Sequence, residues 1–174
     1  MKSFVQYLSK YAAYHRDKRN VATHYIGVPM IVAGVVTMLS RPAFMHIDGI
    51  AISPATIGVA ITALFYLKLD IRFGIVMSVF LAACLWLGQL LAEQTTAIWL
   101  VWGIGVFVVG WVIQFIGHHY EGKKPAFLDD ILGLVIGPIF VAAELAFELG
   151  LRKDVQDAVE ARVGPTFIRQ AEVA

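Results

Sequence analysis

Long uncharged apolar runs alternate with short polar connections along this chain. Such runs cover residues 25–40, 49–67, 73–92 and 94–117. A helix needs about 20 apolar residues to cross a bilayer core, and the first run reaches that length when it begins at Val21. Lipid-exposed backbone must satisfy its own hydrogen bonds, which favours helices. The pattern therefore predicts spanning helices over 21–40, 49–67, 73–92 and 94–121.

The two ends of the chain differ from these runs. A further apolar run, 131–143, stops at Glu144 and predicts a short fifth helix over 130–150 that is tilted, re-entrant or packed against protein. Residues 1–19 are polar and aromatic and predict an amphipathic helix at the membrane interface, without a signal-peptide pattern. Residues 151–174 predict a polar tail. The predicted fold class is all-α, a single membrane-embedded bundle of four to five spans covering 1–174.

Composition supports the membrane interpretation and narrows the function. Of the 174 residues, 59% are hydrophobic and 16% charged, against about 45–50% and 25% in soluble domains. The formal charge of +1 gives no electrostatic support for nucleic acid as a partner. The single cysteine, Cys84, excludes an intrachain disulfide and a cysteine-rich metal site. Glycines in "GIGVFVVG" (103–110) allow close helix contacts, within one chain or in a homo-oligomer.

Basic residues alternate with the predicted crossings. The connection after the first span holds Arg41 alone, and the other side holds Lys2, Lys10, Arg16, Lys18, Arg19, Lys68, Arg72, Lys123 and Lys124. The positive side is predicted to be cytoplasmic, at the inner membrane of a bacterium or the endoplasmic reticulum of a eukaryote. An even number of crossings returns His118 to the face that carries His15 and His24. His46 falls in the opposite loop.

The spacing of His15 and His24 requires a break in the helix. Nine residues of continuous helix would put the two rings on opposite faces, about 13 Å apart along the axis. The intervening "RDKRN" allows a break, with Asn20 as the predicted N-cap of a helix that starts at Val21. Across such a bend, the two imidazoles can converge.

The segment "QFIGHHYEG" places polar residues on one helical face. Gln114, His118 and Glu121 recur at i, i+4 and i+7 and share that face, whereas His119 is rotated by about 100°. Gly122 is predicted to terminate the helix. His118 is therefore the stronger metal-ligand candidate of the histidine pair.

Three glutamates in apolar segments each have more than one possible role. Glu121 either faces the histidines or pairs with Lys123 or Lys124. Glu144 and Glu148 lie one turn apart in an apolar helix, where a carboxylate is costly and has a functional or a paired role. We expect pairing, with an arginine or histidine on a neighbouring helix.

The donor set indicates a class of metal. Imidazoles with at most one carboxylate and no thiolate suit Fe(II), Zn or Mn, and open positions suit non-haem Fe(II) with O₂. A zinc-dependent membrane lipid hydrolase is one alternative. A non-enzymatic membrane scaffold or small transporter is another.

Two motifs carry a family resemblance. "YAAYHRDKRNVATHYIGVP" and "WVIQFIGHHYEGKKPAFLDDILGLVIGPIFVAAELAF" resemble the paired motifs of a family of small membrane proteins that includes the fungal 2-hydroxy fatty acid dioxygenase. The resemblance covers nearly the whole chain. It implies an Fe(II)-dependent dioxygenase that uses O₂ for α-oxidation of long-chain 2-hydroxy fatty acids from sphingoid-base breakdown, shortening each by one carbon.

The resemblance also implies roles for individual residues. It implies His15, His24 and His118 as iron ligands, with Glu121 nearby as a catalytic candidate. Asn20 and Gln114 match positions that support the ligands. Lys123 is a further catalytic candidate, because its charge suits the substrate carboxylate, and Glu144 is a further supporting candidate. A nicotinamide or flavin cofactor is not implied, since the chain has no glycine-rich nucleotide motif.

Overall fold

The computed structural model describes residues 2–48, 50–123 and 132–168, whose regular structure is almost entirely helical. The helices are α1 Lys2–Ala12, α2 Lys18–Ser40, α3 Pro54–Leu69, α4 Ile71–Ala92, α5 Thr96–Leu100, α6 Val106–Glu121, α7 Gly133–Glu148 and α8 Lys153–Val163. A π-helical stretch, Val101–Gly105, joins α5 to α6. Strands β1 Met45–Ile47 and β2 Ile50–Ile52 form an antiparallel hairpin with His46 opposite Ala51. The predicted all-helical class is confirmed apart from this hairpin.

Three helical stretches in the described part of the chain are long and apolar enough to cross a membrane. They are Lys18–Ser40, Ile71–Ala92 and Thr96–Glu121. The pair α7 and α8, bent by 110°, brings the number to four if it forms one broken span. These apolar helices are consistent with a helical membrane protein.

Helix α3 is shorter than the apolar run that predicted it. Its 16 residues reach about 24 Å, less than the roughly 30 Å of a bilayer core. The run loses its first residues to β2, and Ser53 then caps the helix by accepting a hydrogen bond from the backbone N–H of Thr56. Pro54 at the first helical position fixes the start. A hydropathy pattern does not reveal such a cap, so it could not predict where α3 begins.

The boundary between α1 and α2 also differs from the prediction. Helix α1 ends at Ala12 rather than at residue 19, and α2 begins at Lys18 rather than at Val21. The predicted N-cap, Asn20, is wrong, because Asp17 performs that role: its Oδ1 accepts a hydrogen bond from Arg19 N at 2.9 Å. A carboxylate just before the first helical residue is a favourable cap.

The chain divides into two compact units. The site unit combines Met1–Gly27 with Val112–Ala174, and the scaffold unit is Val28–Trp111. In the site unit, α1 packs against α7 and α8. Its buried Phe4 and Leu8 contribute to a core that also contains Ile139 and Phe140 of α7. Part of the predicted polar tail is therefore helix α8, which packs on α1.

The scaffold unit is held by apolar helix contacts. Helices α3 and α4 pack against each other on either side of Asp70, whose Oδ1 accepts hydrogen bonds from the first turn of α4. Val36, Ala55 and Cys84 form a buried apolar cluster. Gly34 lies so close to the π-helical stretch and the start of α6 that an added Cβ would come within 2.8 Å of both Gly103 O and Phe107 Cβ.

Candidate metal centre

Three buried histidines from separate parts of the sequence lie together in the site unit. His15 is in the connection between α1 and α2, His24 is in α2, and His118 is near the end of α6. Their ring centroids are 4.5 Å (His15–His24), 5.0 Å (His15–His118) and 5.3 Å (His24–His118) apart. One nitrogen of each lies within 4.8 Å of the others. This arrangement can hold one metal ion.

Backbone carbonyls orient two of the rings. His15 Nδ1 lies 2.8 Å from Tyr11 O, and His24 Nδ1 lies 2.8 Å from Asn20 O. Because a carbonyl oxygen only accepts, each Nδ1 carries the proton and each Nε2 keeps its lone pair. Within the described residues, His15 Nε2 and His118 Nδ1 are buried without a hydrogen-bond partner. Buried nitrogens of this kind are compatible with a bound metal ion.

Aromatic rings pack against His15. The Tyr11 ring stacks on His15 with centroids 4.2 Å apart and planes 4° apart. Phe140 lies 4.9 Å from Tyr11 and 5.5 Å from His15. Burial, followed by the neighbouring His24 ring, lowers the pKa of His15 well below its usual value. His15 is therefore a neutral imidazole at neutral pH, the form that binds metals.

Glu121 ties the end of α6 to the connection that carries His15. The fully buried carboxylate accepts hydrogen bonds at Oε2 from Arg16 N (3.0 Å), Asp17 N (2.8 Å) and Asn20 Nδ2 (3.1 Å). His15 directly precedes two of these donors, and His118 lies one turn before the acceptor. Glu121 thus fixes two of the histidines relative to each other.

A buried ion pair holds the same connection from the other side. Arg16 Nη2 lies 3.3 Å from Glu144 Oε1, so Glu144 has the arginine partner that its position led us to expect. The guanidinium also donates to Ala12 O (2.8 Å), His15 O (3.0 Å) and Gly164 O (2.8 Å). Arg16 therefore joins α1, α7 and the end of α8 around the residue next to His15.

The segment after α8 pairs with this connection through backbone bonds. Phe167 N donates to Arg16 O, and Lys18 N donates to Phe167 O, both at 2.9 Å. Sequence reasoning missed this contact because a single backbone bridge leaves no periodic pattern of side chains. It also missed Arg16, although the adjacent Arg16–Asp17 pair in an otherwise apolar surrounding is a usable signal.

Gly117 lets α2 and α6 approach closely beside the histidines. A Cβ added there would overlap Thr23 Oγ1 and lie 2.6 Å from Asn20 Oδ1. A residue larger than glycine would require the side chains of Thr23 and Asn20 to move. The signal in the sequence was its place on the helical face shared by Gln114, His118 and Glu121.

Burial along α6 follows the predicted helical phase. Gln114, His118 and Glu121 are buried, and His119 is exposed. Gly122 has φ +65°, the conformation expected of a residue that terminates a helix. The predicted face is therefore the one that packs inward.

Of two further residues, Lys123 lies beside the cluster, since its backbone is hydrogen-bonded to the His118 side chain, and His46 lies outside it. Lys123 Nζ donates to Ala13 O at 2.8 Å, which links it to the end of α1; Lys124 is outside the described residues. His46 is exposed in β1 of the scaffold unit and is not part of the cluster.

A separate cavity in the site unit has the wrong charge for an anionic ligand. Its volume is about 230 Å³, and none of the three histidines lines it. Three carboxylates face one ammonium group there, among the lining residues Lys18, Val21, Glu144, Phe147, Glu148, Gln156, Glu160 and Thr166. A carboxylate would be repelled by this excess of like charge.

Comparison with known proteins now identifies the family. The model of the family described as 2-hydroxy-palmitic acid dioxygenase Mpo1-like matches residues 1–149. The chain belongs to the Mpo1-like family. It is 30% identical over 155 residues to the 2-hydroxy-palmitic acid dioxygenase MPO1 of Saccharomyces cerevisiae, covering 88% of this chain and 85% of the yeast protein. No solved structure matches.

The Mpo1-like match confirms the family predicted from the two motifs. All three clustered histidines, Glu121 and Glu144 lie inside the matched range. Gly164 and Phe167, which bond to Arg16 from the end of the chain, lie outside it. The three histidines therefore all belong to the range that the family model matches. The residues after that range add hydrogen bonds to Arg16, the neighbour of His15.

Proposed function

We propose that this chain is a membrane-embedded, Fe(II)-dependent dioxygenase that shortens long-chain 2-hydroxy fatty acids by one carbon. The observation that carries the proposal is the group of three buried histidines in a member of the Mpo1-like family. The yeast relative, named for 2-hydroxy-palmitic acid, supports the substrate class.

The donor set fits iron. Three neutral imidazoles without a thiolate suit Fe(II), and three protein ligands leave positions open. His15, His24 and His118 would hold the ion. When bound, Fe(II) would supply the Lewis-acid and redox chemistry that lets O₂ react with the acid.

The overall reaction balances with O₂ as the sole oxidant. The 2-hydroxy acid and O₂ give the shorter acid, CO₂ and water. The bond between C1 and C2 breaks, C2 becomes the new carboxyl carbon, and O₂ accepts four electrons. No nicotinamide or flavin is needed for this balance.

Several side chains prepare the centre for that reaction. Tyr11 and Phe140 cover His15 and exclude bulk water. Glu121 is best explained as a positioning residue, since its Oε2 already accepts three N–H groups. Lys123 uses one donor on Ala13 O, and an ammonium group has three, so it can still attract a carboxylate arriving from the membrane surface.

The membrane arrangement is also part of the proposal. Helix α1 lies along the interface, the acyl tail lies among the apolar spans, and the polar head enters from the cytoplasmic side. The clustering of Lys and Arg near α1 and after α6 supports this orientation. The membrane would be the inner membrane of a bacterium or the endoplasmic reticulum.

An assay of the purified protein tests the function. The protein is prepared without oxygen, loaded with Fe(II) and given O₂ and 2-hydroxypalmitic acid. We expect the acid one carbon shorter to form with equimolar O₂ consumption.

A set of three histidines also suits catalytic zinc, so Zn(II)-loaded protein is assayed for lipid hydrolysis. Hydrolysis by that form, without oxidation by the iron form, would replace the dioxygenase with a zinc hydrolase.

A further inference from the structure

Gln114 is a buried amide without a hydrogen-bond partner in the described part of the chain. The residue is 3% exposed, and both Oε1 and Nε2 lack a partner. An amide buried in an apolar helix is costly unless it is hydrogen-bonded, and each such group in a native protein needs an explanation. A polar ligand that reaches this position is one.

The position of Gln114 on α6 places it next to the histidine cluster. It precedes His118 by four residues, so it lies on the same helical face, about 6 Å further along the axis. Glu121, on that face beyond His118, is bonded to the connection that carries His15. On this face, the carboxylate of Glu121 therefore lies on one side of His118 and bonds to the connection that carries His15. The amide of Gln114, which has no partner among the described residues, lies on the other side.

We propose that Gln114 recognises the polar head of the 2-hydroxy acid. Its Oε1 accepts a hydrogen bond from the 2-hydroxyl group, and its Nε2 donates one to the carboxylate. An amide presents a donor and an acceptor on neighbouring atoms, which matches the two groups on adjacent carbons of such an acid. This inference rests on the proposed function and adds the residue that selects the hydroxylated substrate.

The chemistry predicts discrimination against ordinary fatty acids. A site built to bond a substrate hydroxyl group rejects the analogue without it, because the buried partner is then left unpaired. With plain palmitic acid, Gln114 Oε1 would keep no partner. Gln114 should therefore contribute to the preference for 2-hydroxy acids over plain ones.

The test compares binding in variants that keep the metal centre. Full-length protein is loaded with Fe(II) and kept under argon so that no turnover occurs, and Kd is measured for 2-hydroxypalmitic and palmitic acid. We expect Q114L to bind palmitic acid somewhat more weakly, because both acids lose the bond to their carboxylate, and to lose about 10-fold or more of the preference for the hydroxy acid, with the wild-type iron content. Q94L, which removes an exposed amide, is the matched control and should behave as wild type.

Each result has a defined meaning. An unchanged preference in Q114L would overturn the inference and leave a water molecule as the partner of the amide. Loss of iron or of the fold in both Q114L and Q114E would also overturn it, because Gln114 would then be structural. If the wild-type protein shows no preference for the hydroxy acid and forms no shortened product, the proposed function fails instead.

Discussion

The site unit and the scaffold unit bury different kinds of side chain. The scaffold unit buries three polar side chains, all uncharged, among its described residues: Thr37, Ser40 and Ser53. The site unit buries ten, including every buried charged group in the described chain: Ser9, His15, Arg16, Asp17, Asn20, His24, Gln114, His118, Glu121 and Glu144. The polar interior of the site unit cannot be explained by membrane insertion alone.

The two units stabilise their buried polar groups in different ways. Burial of polar groups is unfavourable unless partners compensate. In the scaffold unit, Ser40 Oγ bonds to Val36 O of its own helix at 2.8 Å, and apolar packing dominates. In the site unit, Glu121 and Arg16 bond across helices, and two histidine nitrogens have no hydrogen-bond partner among the described residues. A bound metal ion would complete that interior.

The largest expected effect comes from removing a clustered histidine. Replacing His15, His24 or His118 with alanine should lower iron affinity by at least about 100-fold and abolish turnover, since partners outside the ligand set alone contribute 10- to 100-fold. H119A is the matched control on the exposed face of α6. Metal analysis after purification is the measurement. Wild-type iron content in the triple variant would mean that the metal binds elsewhere.

A smaller effect is expected from Glu121. E121A leaves three N–H donors without their acceptor, and we expect iron affinity to fall about 10- to 100-fold. E121Q keeps one acceptor oxygen, so it should recover part of that loss. Iron titration of both variants is the measurement. If E121A bound iron normally but lost turnover, Glu121 would have a catalytic role rather than a positioning one.

The smallest effects come from two glycines, one in each unit. G117A forces the side chains of Thr23 and Asn20 to move, and Asn20 Nδ2 donates to Glu121, so iron binding should weaken several-fold. G34A brings a Cβ within 3 Å of backbone atoms in the scaffold unit and should cost about 1–3 kcal/mol of stability with iron affinity unchanged. Thermal unfolding and iron titration separate the two. G58A, where an added Cβ meets nothing within 4 Å, is the control; equal iron loss in G34A would show that the units are not independent.

Some features of the fold and of the candidate site could be predicted from the sequence, and others could not. The face with Gln114, His118 and Glu121 followed from helical periodicity, and its burial agrees. The need for a break between His15 and His24 followed from their spacing, and α1 and α2 are separate helices. The cap at Asp17 and the start of α3 at Pro54 depend on local hydrogen bonds. Neighbouring polar residues could make the same bonds, so the sequence alone does not show which residue caps the helix.

The helical class, the apolar spans, the family and the candidate histidines could all be predicted from the amino-acid sequence. These follow from periodicity, hydropathy and motifs, which are properties of neighbouring residues. The packed structure was needed to show that the three rings meet and that Glu121 and Arg16 bond to the connection beside His15. It was also needed to show that α2 approaches closely at Gly117. Those contacts join residues up to 148 positions apart, and their geometry exists only after the helices have packed.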